Sequence, residues 1–193
     1  MPKERLNAFS DGVIAIIITI MVLELKVPHG ADWASLFALL PVFLSYVLSF
    51  IYIAIYWNNH HHMMHASETV DGTILWANMH LLFWLSLIPF ATGWMGENHF
   101  AKLPTALYGV ALFMPAIAYY LLQAAIIRQH GEDGVLAKAL GSNIKMRVSP
   151  VLYLIAVGSA FIAPWVSHLL YVAVALMWLI PDRRIEKAVR ASK

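Results

Sequence analysis

The stretch Arg5-Leu6-Asn7-Ala8-Phe9-Ser10-Asp11-Gly12-Val13-Ile14-Ala15-Ile16-Ile17-Ile18-Thr19-Ile20-Met21-Val22-Leu23-Glu24-Leu25 decides the fold class. From Val13 to Leu25 it is apolar except for Thr19 and Glu24, and the polar turn signal Ser10-Asp11-Gly12 precedes it. Five comparable runs follow, at about Leu36–Trp57, Ile74–Trp94, Leu103–Ile127, Val148–Trp165 and Val166–Ile180. The last two are separated only by Pro164 and the polar pair Ser167-His168, where a continuous run too long for one helix needs a reversal. A membrane helix takes about 20 apolar residues, so six use roughly 120 and leave short loops and two tails. The expected fold class is all-α, with six transmembrane helices per chain in a single membrane domain spanning residues 1–193.

Composition agrees. Of 193 residues, 61% are hydrophobic and 12% charged, about half the charge of a soluble domain, which runs near 25%. So few charges cannot cover a soluble core of this size, and disorder is excluded for the same reason. No room is left for a separate enzyme domain, and no enzymatic activity is expected. The absence of cysteine removes disulfides, thiolate metal sites and cysteine nucleophiles. Lys3 and Arg5 precede the first apolar run, but it ends Leu23-Glu24-Leu25-Lys26 rather than in small residues. That is a poor signal-peptidase site, so the run reads as a retained first span.

Charge placement orients the chain. With six spans both termini share one side, and that side collects eleven of the thirteen Lys and Arg residues. Lys3 and Arg5 come from the N-terminal tail. Arg128, Lys138, Lys145 and Arg147 come from the fourth loop. Arg183, Arg184, Lys187, Arg190 and Lys193 come from the tail. Only Lys26 and Lys102 fall opposite. The positive-inside rule then makes both termini cytoplasmic. Trp57, Trp94, Trp165 and Trp178 lie near span ends, where interfacial aromatic residues belong. The tail at about 182–193 reads as a short basic amphipathic end that anchors to anionic lipid.

On a helix with 100° per residue, Gly12, Ile16, Thr19, Ile20 and Leu23 fall on one side. Asp11 and Ser10 point away from it. Such an apolar stripe with one hydroxyl suits core or lipid contact, and also suits a constriction that gates by dewetting. Ser10 and Asp11 suit either an N-cap or, if the helix extends outward through Arg5, mid-helix groups that need polar partners.

Arg5-x-x-x-Phe9-Ser10-Asp11-Gly12 followed by Val-Ile-Ala-Ile resembles the signature of the transmembrane protein 175 family of lysosomal potassium channels and their bacterial relatives. Tyr56-Trp57-Asn58-Asn59-His60-His61 is similar to the family's Trp-x-x-His-His segment. Leu75-Trp76-Ala77-Asn78, continuing to Leu87-Ile88-Pro89-Phe90-Ala91-Thr92, is similar to its third helix. The order and spacing of the three blocks fit, over roughly residues 5–95. The resemblance implies a six-helix bacterial inner-membrane protein forming a homotetramer in the lipid bilayer, with the first helix lining a central pore that passes K+ over Na+. It implies no cofactor, no resident metal and no nucleic-acid partner. It assigns Ile16, Thr19, Ile20 and Leu23 to the pore, and Arg5, Ser10, Asp11, Trp57, His60, His61 and Asn78 to a structural polar network. Some relatives carry leucine where this chain has Ile16 and Ile20, and isoleucine is stiffer at χ1. As in the family, no Thr-Val-Gly-Tyr-Gly filter is present.

Other chemistries compete for the same residues. His61 and His65 are one turn apart and, with Glu68 or Asp71, would be a sparse zinc set; the bland reading is a polar network and solvated loop. Intramembrane His80 paired with His60 or His61 would make haem ligands in an electron-transfer protein. Asp11 would suit a proton-coupled secondary transporter, against which stands the lack of an internal repeat.

Overall fold

The computed structural model describes residues 2–65, 67, 69–131 and 144–179, and all regular structure among them is helical. In chain order the helices are α1 (Lys3–Leu23), α2 (Trp33–Phe37), α3 (Leu40–His65), α4 (Gly72–Ser86), α5 (Ile88–Glu97), α6 (Lys102–His130), α7 (Ile144–Ser159) and α8 (Pro164–Leu179). Lys3–Leu23, Leu40–His65, Gly72–Glu97 and Lys102–His130 are each long and apolar enough to cross a bilayer. The helices α7 and α8 have 16 residues each, a rise of about 24 Å at 1.5 Å per residue. Lys138, Glu68 and the basic tail from 182 lie outside the described residues.

Local chemistry explains the boundaries. Hydropathy placed the first helix from Val13, but α1 begins at Lys3, ten residues earlier and without a side-chain cap. Nothing between Lys3 and Gly12 breaks a helix, so Ser10 and Asp11 are mid-helix groups rather than an N-cap. The short α2 starts where Asp32 accepts a hydrogen bond from the Ser35 backbone N–H at 2.8 Å. Hydrogen bonds from Ser35 hold the Asp32 carboxyl below its ordinary pKa. The third apolar run is two helices. Pro89 lacks the N–H that would bond to Leu85, so the helix breaks at Leu87 and restarts with Pro89 in the first turn of α5. Pro164 opens α8 after a four-residue turn from α7, at the reversal its position in sequence suggested.

The packing is asymmetric. Helix α6 is central, contacting α4, α5, α7 and α8. Helix α1 lies at the edge, packed against α3, α4 and α5. Its buried stripe is Leu6, Ser10, Ile14, Ile17 and Met21, spaced by three and four residues as one helix face requires. At one end of the bundle the Lys3 ammonium donates to the carbonyls of His65 and Ser67, closing the C-terminus of α3. At the other, Lys26 pairs with Glu97, which raises the Lys26 pKa.

Helices α3 and α5 approach closely at Gly96. A Cβ there would lie 2.7 Å from the Val42 Cα, so one backbone would have to move. Replacing Gly96 with Val is expected to cost about 1–3 kcal/mol by overpacking and to lower the thermal unfolding temperature in detergent. The same substitution at Gly158, whose Cβ position is open, serves as the control.

Candidate functional site: a pinned helix with an open apolar face

Three buried polar side chains pin α1. The His60 Nε2–H donates to Asn78 Oδ1 at 2.7 Å, and the Asn78 amide Nδ2 donates to Ser10 Oγ at 2.9 Å. Ser10 passes its own proton to the Leu6 carbonyl at 2.9 Å. All three side chains are buried. Each position in this relay has a single compatible direction. An amide oxygen only accepts, so the His60 Nε2 must carry the proton, and an amide NH2 only donates, so Ser10 must accept. A parallel link runs nearer the surface, where the Trp57 indole N–H donates to Asp11 Oδ1 at 2.9 Å. Together the two links tie α1 to α3 and α4.

The expected network is thus only partly joined. Ser10, Asp11, Trp57, His60 and Asn78 are hydrogen-bonded as described. His61 touches the rings of Trp57 and His65 but lies outside the relay. Arg5 is exposed, and its side chain has no hydrogen-bond or ion-pair partner among the described residues. Five residues before Ser10, it projects from the opposite side of α1.

Two of the histidines considered as haem ligands already hold hydrogen bonds, and Glu68 of the zinc set lies outside the described residues. His60 Nε2 is committed to Asn78, and His80 Nε2 accepts the Trp84 indole N–H at 2.8 Å. No group of three or more His, Asp or Glu among the described residues could hold a metal.

The opposite face of α1 is largely uncovered by the described residues, with Ile16 and Ile20 bordering a pocket shared with Pro89, Phe90 and Gly93 of α5. Ile16, Ile20 and Leu23 are 58%, 43% and 78% exposed, and Gly12 and Thr19 are exposed with them. The Thr19 hydroxyl is turned back onto its own helix, 2.9 Å from the Ile16 carbonyl and 3.1 Å from that of Ala15. Its proton is used there, so what the residue presents outward is an oxygen lone pair.

A second set of buried polar groups was not foreseen. The hydroxyls of Ser49 and Thr92 are 2.7 Å apart, and Ser49 and Tyr108 are 2.9 Å apart. Tyr171 donates to the Thr105 carbonyl, and Tyr52 to that of Tyr171. These contacts join α3, α5, α6 and α8. The spacing Ser45, Ser49, Tyr52 on one face of an apolar helix was the available signal.

Residues 5–89 match the family described as "Endosomal/lysosomal potassium channel TMEM175". A potassium channel of Chryseobacterium is 56% identical over 190 residues, covering 98% of this chain and 99% of that protein. The chain belongs to the TMEM175 family. A potassium channel of Streptomyces collinus is 30% identical over 82% of each chain. The crystal structure of a lysosomal potassium-selective channel TMEM175 homolog from Chamaesiphon minutus superposes with a TM-score of 0.80 at 30% identity, over 93% of this chain and 97% of that one. Membership makes this a multi-pass membrane protein of a channel family rather than an enzyme, with no cofactor called for.

Replacing Asn78 with Leu is expected to leave His60 Nε2 and Ser10 Oγ without each other's bridge, at about 2–4 kcal/mol for two buried groups. In a double-mutant cycle with Ser10→Ala, the combined loss falls short of the sum by about 1 kcal/mol. Full additivity in detergent unfolding would mean that the two side chains do not act together.

Proposed function

We propose that the protein is a passive, potassium-selective cation channel formed by four copies of the chain around a central pore lined by α1. The observation that carries this reading is the pairing of two faces on α1: one fixed by a directional relay, the other an exposed stripe of Ile16, Thr19, Ile20 and Leu23. One chain supplies one pore helix, and a single helix cannot enclose a pore. In the assembled channel, Ile16, Ile20 and Leu23 form apolar rings that a cation crosses only when the constriction wets. Thr19 supplies lone pairs between those rings, a ligand suited to a partly dehydrated K+. No carboxylate lies on that line, so selectivity over Na+ is moderate. Six spans in one membrane domain, in a bacterial inner membrane with cytoplasmic termini, complete the reading, supported by the distribution of Lys and Arg.

Purified protein in liposomes under opposing K+ and Na+ gradients should carry K+ faster than Na+. Ile16→Asn or Leu23→Asn should raise flux about tenfold, equivalent to about 1.4 kcal/mol off the barrier, with loss of discrimination. Unchanged flux in both variants takes α1 out of the pore, and saturable counterflow would make the protein a transporter. Asp11→Ala should instead impair folding or assembly. A stable tetramer that has lost conduction alone would place Asp11 in the pore.

A further inference from the structure

A cavity of about 510 Å³ lies on the other side of the bundle from the exposed face of α1, between α3, α6, α7 and α8. Its walls are rich in aromatic rings: Tyr52 and Tyr56 from α3, Tyr119 and Tyr120 from α6, Tyr153 from α7 and Trp178 from α8. Several of these are already satisfied. Tyr52 donates to the Tyr171 carbonyl at 2.6 Å, Tyr119 to that of Asn59 at 3.3 Å, and Trp178 to Ser149 at 2.8 Å.

Two polar groups on the wall are not satisfied. The Gln123 side chain is only 7% exposed, yet among the described residues neither its amide oxygen nor its NH2 has a hydrogen-bond partner. Arg147, on the first turn of α7, lines the cavity, is exposed, and has no ion-pair or hydrogen-bond partner among the described residues. Neither amide atom is sealed off from the cavity, so both are available to a polar group that enters it.

The lining selects the ligand's chemistry. The cavity has a size and composition suited to a small ligand: mostly apolar walls with a few convergent polar groups. Among the described residues no acidic side chain lines it, while Arg147 supplies a fixed positive charge. Lys145, two residues before Arg147 on α7, is not part of the wall and has its ammonium 6.0 Å from the Trp178 ring centre. The aromatic box is therefore not a cage for a cation, since a ligand cation would meet arginine with no carboxylate to offset it. A carboxylate or phosphate fits, because arginine binds either through paired N–H donors.

We propose that this cavity binds an anionic amphiphile, with its carboxylate or phosphate head at Arg147 and Gln123 and its apolar body among the tyrosine rings. All the residues that line the site come from one chain, and none is on α1, the helix of the proposed pore. Such a ligand enters from the end of the bundle where α7 begins, the region in which the head of a membrane lipid or a free amphiphile would lie. It would brace α3 against α7, and α3 carries the His60 and Trp57 that hold α1.

The test is photolabelling in phosphatidylcholine liposomes of the full-length protein, with peptide mass spectrometry. One arm uses phosphatidylglycerol with a diazirine in its acyl chain, the other a free fatty acid with the same group. Labelling is expected on the Tyr56, Tyr119 and Tyr153 peptides. Arg147→Gln should reduce it about tenfold, the loss of one charge-assisted contact of roughly 1.4 kcal/mol. Gln123→Met, similar in size but without the amide, should also reduce it, and a neutral diazirine alkane should not label these peptides. Labelling by the first probe alone marks a phospholipid site, and by the second alone a site for free amphiphiles; either supports the proposal. Label spread over outward-facing residues such as Leu154 and Leu176, and unchanged in both variants, would overturn it. Retained tetramer elution of each variant separates loss of binding from loss of fold.

Discussion

The arrangement of α1 depends on the buried bridge in which Asn78 accepts from His60 and donates to Ser10. Apolar packing alone defines the rotation of a membrane helix poorly, because lipid tails are as apolar as the isoleucines they would replace. Rotating α1 by one residue moves each side chain through 100°. Met21 and Ile20 would exchange faces at little hydrophobic cost. The same rotation would withdraw Ser10 from Asn78 and leave a buried amide and a buried imidazole unpaired, in a medium where no water can replace the bond. The directional relay therefore fixes which stripe faces out, and the Trp57–Asp11 link fixes it a second time, one residue further along.

The remaining packing supports that bridge. Asn78 is on α4 and His60 near the C-terminal end of α3, so α3 and α4 must be held in register. Helix α4 lies against α6, and the break at Leu87 turns α5 back onto α3, where Gly96 permits close approach. The hydroxyl cluster of Ser49, Thr92 and Tyr108 links α3, α5 and α6 midway through the bundle. Tyr171 and Tyr52 extend the ties to α8. Each is a short-range polar contact in an apolar setting, which sets geometry more strictly than it adds stability. Membrane double-mutant cycles give such bonds only about 0.6 kcal/mol on average.

That the chain is an all-helical membrane protein was legible in its sequence, with informative exceptions. The apolar runs located the helices because hydropathy reports on the bilayer. For the same reason it missed ten residues of α1, where the helix continues past the apolar run through Leu6, Asn7 and Ala8. Ser10 and Asp11 stood out as polar groups beside an apolar run, whereas Trp57, His60 and Asn78 were indicated by the family resemblance. Arg5 belongs to the same block of sequence but not to the relay, since block membership does not specify direction around a helix. Ser49 and Thr92 escaped notice because a lone hydroxyl in an apolar helix can always bond its own backbone, as Thr92 also does with Ile88. Only the tertiary arrangement shows which hydroxyls reach further.

The position of Arg5 bears on the proposed pore. It precedes Gly12 by seven residues, two turns, and so lies on the same side of α1 as Ile16 and Thr19. Around a four-fold axis it would put four positive charges near one mouth, which at first sight opposes cation entry. Distance settles the matter. Arg5 is eleven residues from Ile16, about 16 Å along the axis at 1.5 Å per residue. The Debye length at physiological ionic strength is about 8 Å. Two screening lengths reduce the potential of an exposed guanidinium about sevenfold beyond its fall with distance, so in the proposed tetramer the arginines would act on ions at the mouth rather than at the proposed constriction. At the far end the Glu24 carboxylate lies beside Gly93 of α5, off the line of Ile16 and Leu23. In the proposed tetramer the barrier would therefore depend on the dehydration imposed by Ile16, Ile20 and Leu23 and on the lone pairs of Thr19.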